Sequence, residues 1–328
     1  MIHAFVFGKF LPFHLGHKAL IDFALEQCDR LSVLVCAGQL ETIEAKTRAN
    51  WISDTYPAAK QINIIELPYD ENELPNTSVS SREVSKIWAQ KFKELLPDTD
   101  LLITSEPYGE FVAGFMGIRH ILFDQERTGM PVSATSIRKD VYHNWHFLPD
   151  AVKPFFQKKI AILGTESTGK STLTEKLHRQ FNSSIVREAG REVVADSNSF
   201  DKEDLLLIAV KHAEYIKSAE AERQPFIFMD TDIHITQSYA KFRFGEYLQL
   251  PENIYETNRA DLYLYLDPNV PYLQDGTRLA EAERNQLDEM HRETLSFFGI
   301  KFEHITGNWE ERFKQARQQI NLLKTLNL

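Results

Sequence analysis

The sequence predicts two α/β domains in tandem, each doubly wound around a parallel sheet. Three observations carry this. The chain has 328 residues, too long for one ordinary domain and comfortable for two. Short apolar runs alternate with amphipathic stretches along both halves, the pattern of strands joined by crossover helices. Finally, Gly164-Thr-Glu-Ser-Thr-Gly169-Lys170-Ser171 stands between an apolar run and a helical pattern. That is the strand–loop–helix context a phosphate-binding loop requires.

In the first half, residues 2–7 read as a strand almost at the N-terminus. Residues 16–28 follow as a helix, with Leu20, Phe23, Ala24 and Gln27 at helical spacing. Strands are expected at 31–36, 62–65, 101–104 and 118–123, with helices at 46–56 and 80–95. The last of these opens on Ser80-Ser81 ahead of Glu83, a capping pattern. Residues 144–158 carry Pro149 and Pro154 among several aromatics, so the boundary falls there. We expect one domain over 1–148, a connector over 149–158 and a second domain over 159–328.

In the second half, strands are expected at 159–163, 185–186, 226–229, 262–266 and 302–305. Helices are expected at 171–181, where Leu173, Leu177 and Phe181 share a face, and at 205–223, 233–244, 279–298 and 309–326. This is the element order of a small nucleoside or nucleotide kinase.

Composition narrows the classes. Hydrophobic residues make up 43% and charged residues 26%, as in a soluble globular protein. Net charge is −10, and residues 1–150 hold 14 basic against 20 acidic side chains, the remainder 23 against 27. Neither half is a basic module, so phosphate must be held by local constellations rather than a broad positive field. Cys28 and Cys36 are too few for a disulfide framework. No run of eighteen apolar residues spans a membrane and no leader is evident, so a cytoplasmic protein is expected. The sequence leaves a homo-oligomer open.

Two constellations carry chemistry. In Gly8-Lys9-Phe10-Leu11-Pro12-Phe13-His14-Leu15-Gly16-His17, two histidines sit at the mouth of the first strand–helix turn. That is where the ligand crevice of such a sheet lies. Imidazole N–H groups there can stabilise charge on a nucleotidyl phosphate. A zinc pair would need a third ligand, and none stands at fitting spacing. Later, Ser133-Ala-Thr135-Ser-Ile-Arg138 places hydroxyls at a helix start with an arginine one turn in. In the second half, the glycines of Gly164–Ser171 let backbone N–H groups face phosphate oxygens, including those of Thr165, Glu166, Ser167, Thr168 and Gly169, with Thr172 adjoining. Lys170 is expected to reach the β/γ-phosphates of ATP, and Ser171 to hold Mg²⁺ with Asp230.

The His14-Leu-Gly-His17 loop with Ser133-Ala-Thr-Ser-Ile-Arg138 resembles the nucleotidyltransferase superfamily that carries a His-x-Gly-His signature. Joined through an aromatic-proline connector to a P-loop kinase, the whole chain resembles the bifunctional NadR-type family. The resemblance implies a Rossmann-like nucleotidyltransferase domain followed by a P-loop kinase domain. It implies ATP-dependent phosphorylation of nicotinamide riboside to nicotinamide mononucleotide (NMN), then adenylyl transfer from ATP giving NAD and pyrophosphate. Lys9, His14, His17, Ser133, Thr135 and Arg138 would serve adenylyl transfer, with Gly8 and Phe10 beside the nucleotide. Repressor members of the family carry a helix-turn-helix segment ahead of the first strand; here Met1 is followed directly by that strand, so DNA binding is not expected. Family members usually show tryptophans after the Pro-Asn that matches Pro75-Asn76. This chain has Thr77-Ser-Val-Ser-Ser81, with Trp88 further along, so Arg48 and Trp51 are candidates to bind the substrate, Trp51 being either an alternative partner for the nicotinamide ring or equally a core residue.

For the kinase half, Glu188 in Arg187-Glu-Ala-Gly-Arg191-Glu192 is expected to orient or deprotonate the ribose 5′-hydroxyl, with Arg191 nearby. Asp232 is expected to hold the riboside. Tyr272 stands where the family has a substrate-contacting aromatic, and Asp275-Gly276 marks a turn that would swing Arg278 onto the transferring phosphate. Two other readings stand beside this one. The same folds could serve other acceptors, with a deoxynucleoside at the kinase, or the chain could be a nucleotide-sensing regulator.

Overall fold

The computed structural model describes residues 1–75, 81–126, 128–194, 199–268 and 280–325. The chain divides into two compact units, residues 1–153 and 154–327, a division that falls inside the connector expected over 149–158.

The first unit runs β1 (His3–Gly8), α1 (Leu15–Glu26), β2 (Arg30–Gly38), α2 (Ala45–Thr55), β3 (Ile62–Tyr69), α3 (Arg82–Leu95), β4 (Leu101–Thr104), α4 (Tyr108–Met116), β5 (Arg119–Leu122) and α5 (Ala134–Lys139). Its five strands are parallel in the order β3-β2-β1-β4-β5, so the order reverses between β1 and β4. β1 and β2 are buried on both faces, which is why they read as unbroken apolar runs. One core cluster packs Phe5, Leu34, Leu67, Phe92, Leu102 and Met116 between the sheet and α3 and α4.

Two departures from expectation have clear causes. β3 continues past Ile65 through Pro68 to Tyr69, because it is an edge strand and a proline there breaks no ladder on its open side. α4 was not expected at all, since Gly109 and Gly114 disguise its helical pattern. At Gly109 a Cβ would lie 2.2 Å from Thr104 Oγ1 and 2.5 Å from His120 Nε2. The glycine serves close packing of α4 on the sheet, at some loss of helix propensity.

The second unit contains α6 (Lys153–Phe156, its first residue lying in unit one), β6 (Lys158–Leu163), α7 (Lys170–Phe181), β7 (Ser184–Val186), α8 (Gly190–Val193), α9 (Lys202–Ala221), β8 (Phe226–Asp230), α10 (Ile233–Phe244), α11 (Glu252–Asn258), β9 (Leu262–Leu266), α12 (Glu281–Phe297), β10 (Glu303–Ile305) and α13 (Trp309–Thr325). The sheet is parallel throughout in the order β10-β9-β6-β8-β7. β6 is its central strand, so the loop that leaves its carboxyl end sits at the middle of the sheet. α9 begins earlier than expected because Asp201 and Asp204 form a capping box that extends it by a turn. Among the described residues, no helix is long and apolar enough to cross a membrane.

Candidate active sites

The first cleft opens at the carboxyl ends of β1 and β4, where the strand order reverses. A doubly wound sheet separates its loops at that point and leaves a crevice. His14 is the N-cap of α1, its Nδ1 accepting from the backbone N–H of Gly16 (3.1 Å) and His17 (3.3 Å). A nitrogen that accepts two N–H groups carries no proton, so the neutral ring holds its proton on Nε2 and can donate from there. His17 stacks on His14, ring centroids 3.7 Å apart at 21°, with Phe10 and Phe13 packed against it. Gly16 is required because a Cβ there would come within 2.9 Å of the His14 ring.

Across the cleft, Ser133 and Ser136 form a capping box at the start of α5. Arg138 donates through Nη1 to Leu11 O (2.5 Å) and through Nη2 to Thr135 Oγ1 (3.1 Å), binding α5 to the histidine loop. His14, His17, Ser133, Thr135, Gly8, Lys9 and Phe10 line one polar cavity. A second, aromatic cavity adjoins it, lined by Tyr69, Pro75 and Trp88. Phe7, Gly8, Lys9 and Tyr108 border both.

Lys9 stands between these cavities because a buried network holds it. Its Nζ is 2.8 Å from Glu41 Oε1, and Glu41 Oε2 is 2.7 Å from Arg48 Nη2. Burial pulls the Lys9 pKa down, yet Glu41 and Tyr69 outweigh it and hold the ammonium above its ordinary value. Arg48 is 1% exposed and also donates to Lys9 O and Cys36 O. This corrects the expectation that Arg48 binds substrate: its donors are committed to bracing the Lys9 loop. Of the two roles open to Trp51, the structure shows the core one. It is buried in the core at 4% exposure and lines neither cavity. The aromatic wall is Trp88, which stacks on Phe7 at 18°, meets Tyr69 edge-on and donates from Nε1 to Pro75 O. Glu41 was missed by sequence reasoning, being one acid in a polar loop with no local pattern.

The second site lies on the loop between β6 and α7. Gly164 (φ 137°) lets the chain pass beneath Leu266, whose carbonyl oxygen would lie 2.7 Å from a Cβ. Gly169 (φ 88°) packs against the Trp309 ring, 1.9 Å from where a Cβ would stand. Thr165 and Thr168 are fully buried and join through Thr168 Oγ1 to Thr165 O at 2.8 Å. Lys170 Nζ donates to Thr165 O (3.1 Å), folded over its own loop. Ser167 adopts a left-handed φ of 61° within the same turn. Two buried arginines hold the loop from outside. Arg312 donates to Thr168 O, Asp267 O and Gly307 O, and Arg284 donates to Glu166 O. Neither was foreseen, though Arg312 is a charge on an otherwise apolar helical stripe with Ala316 and Ile320, while Arg284 shares a mixed buried stripe with Leu287, Asp288, His291 and Leu295.

Beside the loop, Arg191 donates from Nε to Glu188 Oε2 (2.8 Å) and from Nη2 to Ser171 Oγ (3.0 Å). Asp230 closes β8 and is 5% exposed, with Oδ1 lacking a hydrogen-bond partner. Burial pushes its carboxyl pKa up, while Lys170 and the Ser171 hydroxyl pull it partly back. Glu166, Glu188, Arg191, Thr231, Thr236 and Tyr239 line the adjoining cavity, and Tyr239 donates to Glu166 Oε1. Thr172 lies apart from it, in a groove with Lys176 and Phe313. Asp232 is a correction. It is fully buried as the N-cap of α10, Oδ1 accepting from His234 N and Ile235 N and Oδ2 meeting His234 Nδ1 at 2.5 Å. With both oxygens committed, it caps a helix and does not face the cavity. Tyr272, Asp275 and Arg278 lie outside the described residues.

Fold and sites together define a tandem nucleotide-binding protein, a doubly wound unit with a His-x-Gly-His cleft followed by a P-loop unit. The comparisons agree. A family model described as "AAA domain" matches residues 159–312. The "Trifunctional NAD biosynthesis/regulator protein NadR" of Escherichia coli K12 is 32% identical over 94% of this chain and 80% of its own length. A protein of the same description from Salmonella typhimurium is 30% identical over the same shares. The nicotinamide-nucleotide adenylyltransferase of Methanocorpusculum labreanum is 25% identical over 42% of this chain and 77% of its own length. Among solved structures, a NadR protein in complex with NAD and AMP-PNP superposes with a TM-score of 0.67 at 21% identity, covering 100% of this chain and 97% of that one. The chain belongs to the NadR family.

Proposed function

We propose that the chain makes NAD in two steps at two sites. The second unit phosphorylates nicotinamide riboside with ATP to give NMN, and the first unit transfers AMP from a second ATP to NMN, releasing pyrophosphate. The observation that carries this reading is the paired cavity of the first unit. An aromatic chamber suited to a flat pyridine ring meets a polar chamber of histidine and hydroxyl groups, with a lysine where they join. A dinucleotide is a base joined through phosphates to a second nucleoside, and the cleft has that division.

In adenylyl transfer the NMN phosphate attacks the α-phosphorus of ATP in line, and pyrophosphate leaves. No protein nucleophile is needed. His14 donates from Nε2, a direction fixed by its two backbone bonds, and Lys9 is held protonated by Glu41 at the junction. Both stabilise charge that grows on the phosphates in the transition state, the kind of contact worth roughly 10²–10³ in rate. Ser133 and Thr135 face the same chamber, and Arg138 keeps their helix against the histidine loop. Trp88 and Phe7 would take the nicotinamide ring.

In the kinase, Glu188 accepts the proton of the ribose 5′-hydroxyl as its oxygen attacks the γ-phosphorus, and ADP leaves. Lys170 turns from Thr165 O to the phosphates when they arrive, and Arg191 lies within reach from Ser171. The oxygen set here suits Mg²⁺: the Ser171 hydroxyl and a buried Asp230 carboxylate whose Oδ1 has no partner. Bound there with the nucleotide, Mg²⁺ would neutralise phosphate charge.

Asp230→Asn tests that assignment in two directions. Because burial raises the Asp230 pKa in the fold, the native state holds its proton to higher pH than the unfolded chain does. The ionised carboxylate therefore weakens the fold above that raised pKa, and the penalty fades as pH falls toward the ordinary aspartate value. The variant is expected to melt higher than the unmodified protein at pH 7, with the gain shrinking in acid, while its kinase activity collapses. Thermal melts across pH, beside kinase assays, check both.

The whole reading is tested by mixing the pure protein with nicotinamide riboside, ATP and Mg²⁺ and separating the products. ADP, NMN, NAD and pyrophosphate are expected. A panel of deoxynucleosides run alongside would reveal a kinase with a different acceptor.

A further inference from the structure

We propose that Thr231 is a substrate-contacting residue of the kinase site, its hydroxyl bonding the sugar oxygen that is phosphorylated. Thr231 follows the last residue of β8, and its N–H donates to Ile162 O at 3.0 Å, so its position is fixed between the two central strands. Two features of this residue work against the fold. Its φ is 76°, in the left-handed region. Among the described residues it is the one β-branched side chain there, and such residues pay a steric penalty for that conformation. Its Oγ1 is also buried without a hydrogen-bond partner, in a residue 6% exposed. Glycine would relieve the first cost and valine the second. The fold therefore gains nothing from a threonine here that a simpler residue would not give.

The site does gain. Thr231 lines the cavity that holds Glu188, Glu166 and Tyr239. The residue before it, Asp230, feels the Lys170 ammonium and the Ser171 hydroxyl of the phosphate loop. Thr231 thus stands where the phosphate loop meets the nucleoside cavity, at the place of the attacking oxygen. Rotation about Cα–Cβ would turn the shielded Oγ1 to a ligand in that cavity. The substrate hydroxyl then donates to Glu188 while its oxygen accepts from Thr231, leaving one lone pair aimed at phosphorus. Fixing that orientation is a direct contribution to rate.

This rests on the kinase reading above, so turnover of nicotinamide riboside by the unmodified protein is measured first. If another nucleoside is the substrate, the comparison is made with that one. Thr231→Val is expected to lower kcat/KM for the nucleoside at least ~10-fold, with KM for ATP and adenylyl transfer within about twofold. Thr231→Ser keeps the hydroxyl and should retain activity within about threefold. The melting temperature of the Val variant should equal or exceed that of the unmodified protein. A Val variant that melts higher and keeps full kinase activity would overturn the proposal, since the hydroxyl would then be idle. Should Val disturb folding, Thr231→Gly decides: native melting with kinase lost supports the contact, and activity equal to that of the Ser variant refutes it.

Discussion

Lys170→Ala leaves a protein that no longer phosphorylates nicotinamide riboside but still converts supplied NMN and ATP to NAD. The loss follows from where Lys170 lies. It is the first residue of α7, and its ammonium is held over the loop by Thr165 O at 3.1 Å, ready to move onto phosphate. Removing a point charge from a transferring phosphoryl group costs roughly 10²–10³ in rate or more. The fold should respond only modestly, because the ammonium donates to a single carbonyl, worth about 1 kcal/mol, and beyond that only eases the burial of Asp230. Kinase and adenylyl transfer assays on one preparation check this, the second acting as control for the first. Loss of both activities with an unchanged melting curve would mean that the two sites are not independent.

His17→Ala is expected to produce the opposite split, with NAD formation from NMN falling roughly 100-fold or more and riboside phosphorylation unchanged. His17 is the better choice of the two histidines. His14 caps α1, so its removal would mix chemistry with the loss of a cap worth about 1 kcal/mol. His17 contributes its ring, stacked on His14 at 3.7 Å, and its place in the polar cavity. A steady-state comparison of the two half-reactions decides it. Adenylyl transfer at the unmodified rate would remove His17 from the chemistry.

What the sequence disclosed, and what it hid, divides by range. The candidate phosphate-binding turns are local: Gly164–Ser171 and the His14–His17 loop each fall within a dozen residues, so their spacing stands out in the sequence. The α/β order was legible for the same reason, since each strand is a short apolar run of its own. Contacts made across the fold were not. Trp88 is a helix residue on α3 whose place in an aromatic wall depends on Phe7 and Tyr69 from two other elements. Arg48 shows nothing in its neighbours of the Glu41 carboxylate that claims it. Asp232 could have been read better: an aspartate directly ahead of a helical run is a capping signature, and that is its job. α4 was concealed by Gly109 and Gly114, the first of which serves tight packing on the sheet rather than a turn.

The account stands on two separate nucleotide sites in one polypeptide, and counting bound nucleotide tests that most directly. A non-hydrolysable ATP analogue, titrated calorimetrically with Mg²⁺ present, should bind two equivalents per unmodified chain and one per Lys170→Ala chain. One equivalent per unmodified chain, abolished by that single substitution, would contradict the account and leave a kinase alone.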